Sequence, residues 1–268
     1  MSNRNKTIMD LNLEDDFLFA KVMSDREICR KVLEEIFRVP IKKVVLPATQ
    51  RAIDLLFEGK GIRLDVYVND EEGTIYNVEM QRGRKKELPK RSRYYAGSID
   101  LDLIAAGEPY TKLGKAYVIF ICTFDPFSDS RHIYTFENTC KENPSLLLGD
   151  ETTKIFLNTR GKLDDVDIHM KEFLTYVENT TDSFAAQTSN TLIKEIHKKV
   201  TEIKQSREME VEYMTLLQRD REKQEEGALL AAKVIKLYTK GEAASKIAAK
   251  LNLDPEYVQD IISSYERE

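Results

Sequence analysis

Two carboxylates in the segment IRLDVYVNDEEGTIYNVEMQ, residues 62–81, have the type and spacing for divalent-cation chemistry: Asp65 and Glu79. Residues of like parity share one face of a strand, so Arg63, Asp65 and Tyr67 lie together, as do Ile75, Asn77, Glu79 and Gln81. If the segment folds as a hairpin symmetric about Glu72, Asp65 stands directly opposite Glu79, with Cβ atoms about 4.5 to 5.5 Å apart. Like charges so placed destabilise a sheet unless a cation compensates them. A hard Mg²⁺ ion suits the pair, because it takes one or two carboxylates and completes its octahedron with water and substrate phosphate. Such an ion polarises a phosphodiester and lowers the pKa of a bound water, so hydrolysis needs neither histidine nor a covalent intermediate. On spacing alone, two ordinary charged residues on an exposed edge hairpin are the commoner case.

The elements around the pair must decide between these readings. Residues 10–38 read as one helix with Phe17, Val22, Ile28, Val32, Leu33, Ile36 and Phe37 on its apolar face, ended by Pro40. Residues 42–49 read as a strand. Residues 62–68 and 74–81 alternate, and the polar residues 69–73 between them end in a glycine, which is a hairpin signal. Residues 89–106 have helical spacing, with Pro89 in the first turn and Gly107 just past the end. The run AYVIFICTF, residues 116–124, is β-branched and aromatic without alternation, as expected of a central strand buried on both faces. Residues 132–137 and 152–158 follow as strands and 164–177 as a helix.

Other chemistry has little material. Cys29, Cys122 and Cys140 are far apart and lack metal-ligand spacing, and His132, His169 and His197 are scattered. The opening residues have no signal-peptide pattern, and no stretch approaches the roughly 20 apolar residues that cross a bilayer. A cytoplasmic protein without membrane contact is expected. The formal net charge of −5 gives no overall attraction to nucleic acid. Between residues 82 and 93, however, Arg82, Arg84, Lys85, Lys86, Lys90, Arg91 and Arg93 stand against one acid, Glu87. This run begins where the Glu79 strand ends, which favours sequence-independent phosphate binding over a merely solvated loop.

The segments DDFLFAKVM, KGIRLDVYVND, IYNVEMQ, RSRYYAGSID and YVIFICTFDPF, taken in this order, resemble the Rpn family of recombination-promoting nucleases and putative transposases, a branch of the PD-(D/E)XK nucleases. The resemblance covers nearly the whole chain. It implies an α/β restriction-endonuclease-like core of order αβββαβ, with a mixed sheet flanked by helices and an all-helical extension at the C-terminus. It implies that Asp65 and Glu79 are ligands of Mg²⁺ or Mn²⁺, with the Met80 backbone carbonyl as a third oxygen. Gln81 stands where the superfamily motif has lysine, which orients the attacking water and stabilises negative charge. Glutamine brings no charge, so Lys85, Lys90 or Arg93 would have to supply it, or cleavage would be slow. Asp16 resembles an acid that some relatives bring to the metal from the first helix, and equally suits a helix N-terminus. Of Tyr94 and Tyr95, at least one should pack on the sheet.

Beyond the core, the small polar residues 179–190 suggest a boundary, giving a nuclease-like domain over 1–185. Residues 186–228 form a long charged helix, either a stalk or an amphipathic helix on the core. Residues 229–268 form a helix-turn-helix-like module, with Asp254 as N-cap and Pro255 opening the last helix. That helix is acidic, which favours protein contact, including homo-oligomerisation through the C-terminal helices, over reading DNA bases. The expected function is a metal-dependent DNA endonuclease of low sequence specificity, linked to recombination or mobile elements. The alternative is a catalytically weak or inactive nuclease-fold protein that binds DNA or regulates. Strand transfer ranks below both, because no third downstream acid is evident.

Overall fold

A computed structural model describes residues 6–45, 52–53, 62–63, 66–84 and 87–267. Among these, a mixed six-stranded sheet forms the centre of the first of two compact units, which ends at Ser206. The strands are β1 (Val44–Val45), β4 (Val66–Asp70), β5 (Ile75–Gln81), β6 (Ala116–Cys122), β7 (Ile133–Phe136) and β8 (Thr152–Asn158). Their order is β1-β4-β5-β6-β8-β7; β5, β6 and β8 run parallel, and the remaining pairs are antiparallel. A separate pair joins β2 (Ala52–Ile53) to β3 (Ile62–Arg63). The alternating run expected over residues 62–68 is thus shared between two sheets.

The uniform hydrophobicity of β6 has the expected cause. Val118, Ile119, Phe120, Ile121 and Cys122 are all fully buried, because helices cover both faces. Helix α3 (Leu88–Leu103) crosses from β5 to β6 and lays Leu88, Tyr95, Ala96 and Ile99 against Tyr67, Ile75, Val118, Phe120 and Phe156. On the opposite face, Phe37 packs edge-on against Tyr76 and Tyr117, which are register partners with rings stacked 5.4 Å apart.

The expected single first helix is two: α1 (Asp16–Met23) and α2 (Arg26–Phe37), preceded by a short 3-10 turn (Ile8–Asp10). The break has a local cause. The Asp25 carboxylate accepts hydrogen bonds from the Glu27 and Ile28 amides and starts a new helix, as Asp15 does for α1 through the Phe17 amide. The apolar stripe continues across the break, so periodicity did not show it.

After α4 (Ile168–Glu178) and α5 (Asp182–Gln187), helix α6 (Thr191–Gln205) buries Leu192, Ile193, Ile196, Val200 and Ile203, and it packs on α1, α2, α4 and α5. The division therefore falls between Ser206 and Arg207, after the boundary expected at residue 185. The charged segment expected as one helix is two: α6 lies on the core, while α7 (Arg207–Tyr238) belongs to the second unit. In that unit Val234 of α7 packs with Ile247 and Ala248 of α8 (Ala244–Leu251) and Val258 and Ile262 of α9 (Pro255–Tyr265). Asn252 ends α8 in the left-handed conformation, and Asp254 caps α9 through the Glu256 and Tyr257 amides. Residue 229, where a small helical module was expected to begin, lies inside α7, and the second unit begins with that helix at Arg207. Among the described residues, no helix is long and apolar enough to cross a membrane.

Candidate active site

The site begins with strand parity. Asn77, Glu79 and Gln81 share the β5 face that α3 covers. They are 0%, 2% and 6% exposed, although all three are polar. Strand β5 lies between β4 and β6, so Glu79 is not an edge residue and the exposed-hairpin reading fails for it. The described pairs, from Val66↔Val78 to Asn69↔Ile75, follow the register of a hairpin symmetric about Glu72. Asp65 itself lies outside the described residues, as do Lys85 and Lys86.

Buried polar groups must be hydrogen-bonded or they destabilise the fold. With its nitrogen turned towards Glu79, the Asn77 amide donates to Glu79 Oε1 at 3.1 Å and to the Val66 carbonyl at 3.2 Å. Gln81 donates through Nε2 to the Gly83 carbonyl at 2.7 Å and accepts at Oε1 from Arg91 Nη1 at 2.6 Å. The Arg91 Nη2 group donates to the Tyr95 hydroxyl at 2.8 Å and lies 3.6 Å from Glu79 Oε2. The guanidinium sits over the rings of Tyr95 and Phe120, at 5.2 and 5.5 Å from their centroids.

Arg91, expected with the rest of the run as a phosphate contact, differs from its exposed neighbours Lys90 and Arg93 in being half-buried. It turns inward because Arg91, Tyr95 and Ile99 recur every four residues and form the stripe of α3 that faces the sheet. That spacing was visible in the sequence, but the charge of the run outweighed it. Its neighbours differ in role. Arg82 reaches Asp15 Oδ2 at 3.2 Å, with its Nε 4.0 Å from Asp16 Oδ1, and Arg84 donates to the Asp125 carbonyl at 2.9 Å. Lys90 and Arg93 are exposed on α3. Tyr95 packs on the sheet, while Tyr94 is exposed.

Asp16 is exposed at the start of α1, and its approach to Arg82 brings that helix N-terminus to the residue following Gln81. Cys122, the register partner of Gln81, is buried, and burial pushes its thiol up to about 12 against the nearby Arg91 charge, so it is no nucleophile. The histidines serve elsewhere: His132 bonds to Asp165 at 2.7 Å, and His197 to the Tyr176 hydroxyl at 2.9 Å. Among the described residues, no group of three or more His, Cys, Asp or Glu gathers to hold a metal.

The family described as PD-(D/E)XK nuclease family transposase matches residues 13–226, which includes the whole sheet, α3 and α6. No curated protein and no solved structure matches the chain.

Proposed function

The chain belongs to the PD-(D/E)XK nuclease family transposases, and from that premise we propose that it hydrolyses phosphodiester bonds in DNA with a divalent cation, Mg²⁺ or Mn²⁺. The observation that carries this reading is the placement of Glu79, a carboxylate 2% exposed on an interior strand, beside Gln81 and the Arg91 guanidinium. A buried acid with a cation nearby, reached from the C-terminal end of a strand, serves a phosphate centre better than it serves a core.

The donor chemistry fits a hard cation. Glu79 and Asp65 would hold it, the Met80 carbonyl would add a third oxygen, and Asp16 is a further candidate from α1. A site with so few protein oxygens leaves positions for water and substrate phosphate, which is the habit of Mg²⁺. When bound, the ion polarises the phosphate and acidifies a coordinated water. The protein's own groups supply position. Gln81 is fixed by its bonds to Gly83 and Arg91, and its amide has capacity for a second accepted and a second donated bond, enough to orient a water. Asn77 holds the Glu79 carboxylate in place. Lys90 and Arg93 contact backbone phosphates, which gives endonuclease action of low sequence specificity, suited to recombination or mobile elements.

The test is cleavage of supercoiled plasmid with Mg²⁺ or Mn²⁺. Nicking by the wild type and its loss in Asp65→Ala and Glu79→Ala are expected, and undiminished nicking in both variants refutes the assignment. A second reading, an inactive nuclease-fold protein that binds DNA or regulates, is favoured by the uncharged Gln81, which by the family resemblance takes the place of the motif's lysine. DNA binding without cleavage under any divalent metal would establish it. Homo-oligomerisation through the C-terminal helices belongs to the same proposal, and light scattering of the full chain checks it.

A further inference from the structure

The α3 stripe that faces the sheet is apolar at Leu88, Ala96 and Ile99, and aromatic at Tyr95. An arginine in such a stripe is costly unless its charge has a use. Arg91 forms a long ion pair with Glu79, but that pairing does not account for its placement. A guanidinium serving only as counterion would make its short bond to the carboxylate, in the forked geometry natural to that pair. Here the short bonds, 2.6 and 2.8 Å, go to the neutral Gln81 and Tyr95, and the carboxylate stands at 3.6 Å. The guanidinium is clamped by these two bonds and by the rings beneath it, and its side chain keeps 29% of its exposure.

We propose that Arg91 is the positive charge of the reaction centre, presented through Gln81 as a two-residue replacement for the lysine that the motif lacks. The inference rests on the nuclease reading above and identifies the group that makes turnover possible without that lysine. Gln81 projects from the strand position of the missing residue, and Arg91 supplies the charge at the end of its side chain. In the reaction, the water oxygen bonds to phosphorus and the scissile P–O bond breaks. Its electron pair leaves with the departing oxygen, which gains a proton as the water loses one, giving a phosphate monoester end and an alcohol end. Arg91 acts through its charge alone and stabilises the negative charge that builds on the phosphoryl oxygens. Its position would also set it in electrostatic opposition to a cation held at Glu79.

That opposition separates a chemical role from a structural one. Arg91→Met keeps a long apolar stem over Tyr95 and Phe120 and removes only the charge. Full-length wild type, Arg91→Met, Arg91→Lys and the double variant Arg91→Met/Gln81→Lys are compared in two assays. The first is Mn²⁺ affinity by electron paramagnetic resonance without DNA; the second is single-turnover plasmid cleavage at saturating Mn²⁺. Arg91→Met should bind Mn²⁺ as tightly as wild type or several-fold tighter, yet cleave about 10²- to 10³-fold more slowly, the usual loss for one preorganised stabilising group. Arg91→Lys should retain part of the rate, and the double variant should recover at least tenfold over Arg91→Met. Cleavage by Arg91→Met within threefold of wild type overturns the proposal, and so does a fall in Mn²⁺ affinity that accounts for the lost rate. A wild type that binds Mn²⁺ and cuts nothing overturns the nuclease reading itself, an outcome distinct from an active wild type with an equally active Arg91→Met.

Discussion

Removal of the Asp125 carboxylate should loosen the loop that follows β6, by an amount that depends on pH in a defined direction. Asp125 accepts the amides of Phe127 at 3.1 Å, Ser128 at 2.8 Å and Ser130 at 2.8 Å, and the Tyr134 hydroxyl at 2.7 Å. Ser128 and Ser130 adopt φ of 61° and 59°, left-handed conformations unfavourable for serine, so the carboxylate holds a loop that the backbone alone resists. Burial raises the Asp125 pKa, but the Tyr134 hydroxyl and the three amides outweigh it and hold the carboxyl below its usual 3.8. A hydrogen bond to a charged group contributes about 1.5 to 3 kcal/mol. The four share one carboxylate, and water can replace it at the exposed Ser128 amide, so their sum is well below additive. Asp125→Ala should cost about 3 kcal/mol at pH 7, and Asp125→Asn, which keeps one acceptor, about half of that. Urea unfolding followed by tyrosine fluorescence is a clean assay, since the chain has 12 tyrosines and no tryptophan. A depressed folded pKa means that the stabilisation is fully present above the unfolded value and is lost as pH falls through the folded one. The gap between wild type and Asp125→Ala should therefore be constant from pH 7 to about 5 and close below pH 4. A cost under about 0.5 kcal/mol, below the range for one such bond, or a gap as wide at pH 3 as at pH 7, refutes this account.

Four further outcomes are expected. Gly161→Ala would place a Cβ 2.4 Å from His132 Cγ and 2.7 Å from the His132 backbone nitrogen, and Asp165 holds that ring in place; a loss of about 2 kcal/mol is expected in denaturant titration. Ile196→Ala, at a residue with no exposure on α6, should cost about 2 to 5 kcal/mol. A chain ending at residue 185 should be protease-sensitive, whereas one ending at Ser206 should resist proteolysis as the full first unit does. Lys90→Ala and Arg93→Ala should each lower the slope of log affinity for DNA against log salt by about 0.9 if each contacts one phosphate, measured by fluorescence anisotropy without divalent metal.

Local signals made much of this fold legible. Alternation in residues 74–81 located β5 and the shared face of Asn77, Glu79 and Gln81, because side chains in a strand alternate whatever surrounds it. The unbroken apolar run located β6 at the centre of the sheet, and Asp254-Pro255 marked the start of α9. The symmetric turn gave the register that the described hairpin pairs follow. The break at Asp25 escaped notice because aspartate within an amphipathic pattern reads the same whether it caps a helix or merely faces water. Helix α6 posed the same ambiguity: the stripe of Leu192, Ile196, Val200 and Ile203 was plain, but nothing local says whether the covering surface belongs to a second chain or to α1 and α2.

The Glu79 carboxylate shows the division most sharply. The sequence by itself determined that Glu79 lies on a strand, on one face with Gln81, and the register of the hairpin pairs from Val66↔Val78 to Asn69↔Ile75, since these follow from the period of two and the length of the turn. Only the tertiary structure decided that Glu79 is buried and that Arg91 turns inward to bond Gln81. Burial depends on which helix covers the face. A long side chain at the rim of α3 can reach phosphate or the sheet with equal ease, until the packing of Tyr95 on Phe120 sets the helix in place.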